Sequence, residues 1–137
     1  MAEILKVFTI SRRLFAPDTI PWPELIIPHG LERVRARYKF NQLAPQLDAA
    51  PQIVGDLGQF SVDGVHFVVE QFLIQPNVLQ FQISGDRSVA DRFFADFAAL
   101  ARGLDSTRDV SVQSQYTSTY QTVAMAKLSV PFEAMFS

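Results

Sequence analysis

A chain of 137 residues fits one domain, and at this size roughly 70% of the unfolded surface is buried, so neither a disulfide nor a metal is needed to hold a core. A net charge of −2 argues against a protein built mainly to neutralise phosphates. The absence of cysteine excludes a disulfide framework, a cysteine metal site and a thiol nucleophile.

Residues 3–10, Glu-Ile-Leu-Lys-Val-Phe-Thr-Ile, read as a strand, being rich in β-branched and aromatic residues. Residues 16–30 hold Pro17, Pro21, Pro23 and Pro28, with Trp22 between two of them and Leu25, Ile26 and Ile27 following. Proline removes backbone donors and drives its predecessor toward extended conformations, so the segment reads as an extended apolar arm. It either covers an open edge of its own sheet or docks, through Trp22, on a second subunit. In residues 31–40, Val34, Ala36, Tyr38 and Phe40 alternate with Arg33, Arg35, Arg37 and Lys39. That period of two predicts a strand with one apolar face and one face of four cations.

Residues 41–52, with Pro45 and Pro51, read as a loop. Asp63-Gly64 is a tight-turn dipeptide, and it predicts a hairpin between residues 53–62 and Val65–Ile74. The second of these is almost continuously apolar and reads as a central strand covered on both faces. Gln75-Pro76-Asn77 makes the next turn, and residues 78–84 alternate Leu79, Phe81 and Ile83 with Gln80, Gln82 and Ser84. Together these segments form a three-stranded meander. Ser88 is the expected N-cap of a helix running to Gly103, with Asp91 at the capping-box position. Ala90, Phe93, Phe94, Phe97, Leu100 and Leu104 keep helical spacing, and Arg92 and Asp96 stand one turn apart as an expected ion pair. Residues 109–113 and 116–130 read as strand material, the latter as one long strand or as a hairpin turning near Thr117–Thr119. The tail from Pro131 to Ser137 is apolar.

The fold expected is α+β: a strongly curved antiparallel sheet of about five to seven strands, with one principal amphipathic helix packed on one face. Residues 1–137 form a single domain with the proline-rich arm at 16–30.

Catalytic chemistry has little to work with. A Ser/His/Asp triad must use His29 or His66, the only histidines. His66 and Glu70 share a strand face by spacing, a candidate acid–base pair, yet a metal site wants three or four protein ligands and they supply two. Gly55 and Gly58 are not followed by a helix or a Lys-Ser/Thr pair, so a phosphate loop is rejected. No cofactor and no metal are expected.

Three functional readings follow, the third being binding of a polyanion by the cation row, which must weaken steeply with salt. The first is a non-enzymatic assembly module, self-associating or binding an acidic protein through Arg33, Arg35, Arg37, Lys39 and Trp22. The second is a small-molecule binder or enzyme with an aromatic pocket between helix and sheet, lined by His66, Glu70, Phe93, Phe97, Tyr116 and Tyr120. Twelve Phe, each removing about 150–250 Å² from water when buried, suit an interface or a pocket as well as a core. Nucleic acid is disfavoured, because Tyr38 and Phe40 lie opposite the expected cation row and bases find no platform between the cations. No window holds the ~18 apolar residues of a membrane span. Glu3 and Lys6 interrupt the run a signal peptide requires, and the composition favours the cytoplasm.

Overall fold

In a computed structural model, residues 2–48, 50–107, 110 and 115–128 are described, with side chains over 7–48, 50–107, 110 and 118–122. The elements run β1 (Ala2–Phe15), α1 (Trp22–Ile26), α2 (Pro28–Tyr38), β2 (Gln42–Gln46), β3 (Gln52–Val62), β4 (Val65–Gln75), β5 (Val78–Ser84), α3 (Arg87–Leu104) and β6 (Gln115–Leu128). All six strands join one open antiparallel sheet in the order β2-β3-β4-β5-β1-β6. The α+β class is therefore correct. The expected strand at 109–113 and the tail from Pro131 fall outside the described residues, apart from Val110, which is buried.

The meander β3-β4-β5 forms as the turn chemistry requires. Asp63 and Gly64 both take positive φ, 51° and 79°, between the paired residues Val62 and Val65, the backbone that a two-residue hairpin with right-handed strand twist demands. The second turn closes between Gln75 and Val78. Residues 115–128 form one continuous strand against β1, with no turn at Thr117–Thr119.

The helices cover one sheet face. From α3, Ala90, Phe93, Phe94, Phe97, Leu100 and Ala101 are buried on Phe72, Ile74, Leu79, Phe81 and Ile83. Phe93 is central: its ring lies 4.7 Å from Phe81, 4.9 Å from Tyr38 and 5.4 Å from Phe60, centroid to centroid. Fully burying one such ring is worth about 3 kcal/mol. The start of α3 differs from expectation. Asp86 is the N-cap, its carboxylate accepting from the backbone N–H of Ser88 and Val89; an ionised acceptor makes the stronger bond to the helix N-terminus. Asp91, assigned to the capping box, instead accepts from Arg13 and from the Tyr120 hydroxyl. Arg92 pairs with Asp63, and Asp96 with Arg37, so the expected Arg92–Asp96 pair gives way to tertiary partners.

The largest correction concerns residues 16–40. The extended arm is a turn followed by α1, and the cationic strand is α2. Pro23 and Pro28 begin these helices, where proline's missing donor costs nothing and its fixed φ is already helical. Leu31, Val34 and Tyr38, spaced three and four apart, form the face of α2 packed on the core. Successive residues turn 100° around a helix, so Arg33 and Arg37, four apart, share one side of α2 while Arg35 points away from it, and the expected row of cations is broken. Gly30 lets α2 approach α1: a Cβ there would stand 1.9 Å from the carbonyl oxygen of Glu24.

A polar seam binds β1 to α3 and β6. Arg13, only 1% exposed, lies with its guanidinium 4.1 Å from the Phe94 ring centroid and 5.2 Å from that of Tyr120. It donates to Ser11, Asp91 and Tyr120. This buried charge is stacked and hydrogen-bonded, the condition under which burial is tolerated.

Candidate interaction surface

The other sheet face is covered by no described helix or strand. Register sets what it displays. One row across the sheet runs Gln42, Asp56, Gln71, Gln82, Ile10 and Gln121; the next runs Ala44, Val54, Leu73, Gln80, Arg12 and Thr119. Beyond them Gln46, Gln52 and Gln75 form an amide ladder, Gln52 donating to Gln46 at 2.8 Å and Gln75 to Gln52 at 3.3 Å. Phe8, Ile10, Leu14, Val54 and Leu73 are half-buried among these amides, and Val68 is exposed. This corrects the reading of β4 as doubly covered: Val69, Phe72 and Ile74 face the helices, whereas Val65 and Val68 are 54% and 43% exposed.

A hollow of about 280 Å³ opens on this face, lined by Ile10, Val54, Asp56, Gln71, Leu73, Gln80 and Gln82 among others. At its rim, Asp56 Oδ1 is buried and accepts no hydrogen bond among the described residues. A buried carboxylate oxygen without a donor is costly. Arg12, which donates to Gln80 at 2.9 Å, lies on β1, separated from Asp56 by the two strands β4 and β5.

The residues singled out in the sequence fall elsewhere. Arg35 donates to Glu32 and to the carbonyl of Leu43. Arg37 donates twice to Asp96, which also accepts from the Tyr38 hydroxyl at 2.7 Å. Burial pushes the Asp96 carboxyl up, but the bonds from Arg37 and Tyr38 outweigh it and hold the group below the ordinary range. Burial, then the bond to Asp96, pushes the Tyr38 phenol up. Arg33 lies in a groove between α2 and α3. Trp22 is half-buried on the core, beside a small hollow shared with Pro17, Ile20 and Pro76.

The expected aromatic pocket is filled. Phe93 and Phe97 have no exposed surface. Tyr120 belongs to the Arg13 seam, its ring also 4.0 Å from the Arg87 guanidinium, and the side chain of Tyr116 lies outside the described set. His66 and Glu70 do not pair. Four strand residues span roughly 13 Å, and an irregularity between Val69 and Gln71 interrupts the register. Glu70 accepts from Gln82 at 2.6 Å, and His66 Nδ1 lies 2.7 Å from Ser61 Oγ. The structure does bring Arg37, Lys39 and His66 around one hollow, where the end of α2 meets the β3-β4 hairpin.

Among the described residues no group of three or more acidic or histidine side chains could hold a metal, and no helix is long and apolar enough to cross a membrane. Comparison with known protein families, with curated proteins and with solved structures finds no match for this chain.

Proposed function

We propose that the chain is a non-enzymatic assembly module that self-associates through its glutamine-rich sheet face. The observation that carries this reading is the one-sided layering of the sheet: three helices on one face, and on the other half-buried aliphatic side chains between amides.

The chemistry favours a second copy as the occupant. A glutamine amide both donates and accepts, so a surface of amides and aliphatics is complementary to itself, as a two-fold contact requires. Its charges also suit a copy. A two-fold axis parallel to the strands, between β4 and β5, lays β1 of one copy over β3 of the other. Arg12 then approaches the Asp56 of its partner, twice in the dimer, setting opposite charges against each other across the contact. Sheets packed in this way lie about 10 Å apart. Six strands at ~4.8 Å spacing and about six residues at ~3.3 Å rise make a plane of about 500 Å² on each copy. With side-chain relief this approaches the ≈800 Å² per partner of a standard interface.

Light scattering across a concentration series tests the reading. The wild-type chain should reach dimer mass at micromolar concentration. Leu73→Lys, at a half-exposed position in the centre of the face, should remain monomeric with an unchanged circular dichroism spectrum. A wild-type chain that stays monomeric at high micromolar concentration refutes the reading.

A further inference from the structure

We infer that the cleft between the C-terminus of α2 and the β3-β4 hairpin binds a phosphomonoester carried on a flat ring. The hollow measures about 360 Å³ and is lined by Arg37, Lys39, Gln59, Ser61, His66 and the half-buried ring of Phe60, with Tyr38 and Asp96 behind.

The electrostatics favour an anion. Among the described residues Asp96 is the only carboxylate lining the cleft, and it is already engaged by Arg37 and Tyr38. Arg37 uses Nε and Nη2 for that contact, leaving Nη1 without a partner among the described residues. The Lys39 ammonium and the Gln59 amide likewise have none there. His66 presents Nε2, its Nδ1 being taken by Ser61. The end of α2 contributes roughly half a negative charge, which Arg35 and Arg37 in its last turn oppose. The spare formal charge in the cleft is that of Lys39. Four donors of this kind match the acceptor oxygens of a phosphate, and the Phe60 ring offers an apolar wall for the group that carries it.

The backbone supplies an independent observation. Lys39 caps α2 in the left-handed conformation, at φ 50° and ψ 45°. Glycine is the residue that normally ends a helix there, because a Cβ is penalised. A long cation kept at a position where glycine fits better is a strained choice, and such choices gather at binding sites. The strain places an ammonium at the mouth of the cleft.

Lys39→Gly therefore separates binding from folding, because the two should move in opposite directions. Titration with phenyl phosphate, followed by calorimetry and by the imidazole signals of His66, should give saturable binding to the wild-type chain, weaker at higher salt. Inorganic phosphate should bind more weakly, for want of a ring. Lys39→Gly should bind phenyl phosphate at least tenfold more weakly while its urea midpoint stays level or rises. Lys39→Met, which keeps the aliphatic stem, should lose binding equally. Arg87→Gln, outside the cleft, should bind like the wild type. No saturation by phenyl phosphate at millimolar concentration overturns the inference, as does undiminished binding by both Lys39 variants. None of these outcomes depends on the state of association.

Discussion

Replacing Phe93 by alanine tests whether the helix–sheet interface is a packed core or a ligand cavity. The ring has no exposed surface and lies against Tyr38, Phe60, Phe72 and Phe81. Phe→Ala in a packed core costs about 3–5 kcal/mol, the sum of lost transfer energy and an unfilled cavity. Four aromatic neighbours place Phe93 at the upper end, since each favourable ring pair adds about 0.5–1.5 kcal/mol beyond area burial. Against a total stability of about 5–15 kcal/mol, the variant should retain its fold with a much lower urea midpoint and an unchanged m-value. Urea unfolding followed by circular dichroism measures both quantities. A loss below about 1.5 kcal/mol would refute the packed core and return the aromatic residues to the lining of a pocket.

Two further perturbations probe the helical layer. Gly30→Ala drives a Cβ into the Glu24 carbonyl, an overpacking cost of about 3 kcal/mol that the better helix propensity of alanine offsets by about 1 kcal/mol. A net loss near 2 kcal/mol by urea unfolding is expected, and a stabilised variant would show that α1 and α2 do not meet there. Asp96 has a depressed carboxyl pKa, so its contribution is present above the ordinary carboxylate value and is lost as pH falls through the lower folded value, below about pH 4. Thermal melting from pH 2 to 7 should show that Asp96→Asn is destabilised at neutral pH and loses less on acidification than the wild type. Identical acid limbs would contradict the Arg37–Asp96–Tyr38 arrangement.

Much of the fold is legible in the sequence where local signals agree. The helical spacing from Ala90 to Leu104 coincides with a cap at its start, and Asp63-Gly64 stands between two strand patterns, so α3 and the meander follow directly. Residues 31–40 carry two periods at once. Their cations alternate every second residue, while Leu31, Val34 and Tyr38 keep helical spacing. The prolines read equally well as helix breakers and as first helical residues. Tertiary packing against the sheet decides for the helix. Function was less legible because it depends on register. The glutamines occur in five of the six strands, β1 carrying none, and only the pairing of those strands assembles them into one face. Lys39 and His66 likewise converge through the placement of α2 beside the hairpin, which no spacing encodes. The alternation of Gln80, Gln82 and Ser84 with apolar residues in β5 was visible in the sequence, but nothing in it tells that the same side continues across the other strands.

The cysteine-free background allows a direct test of self-association through that face. Gln80→Cys places a single thiol beside the proposed two-fold axis, and Ala95→Cys places one on the exposed side of α3. Treatment with a bis-maleimide of about 10 Å reach, the separation of packed sheets, should convert the Gln80→Cys chain largely to covalent dimer and leave the Ala95→Cys chain monomeric. Equal cross-linking of the two chains, or none at Gln80→Cys, would contradict assembly through the glutamine-rich face.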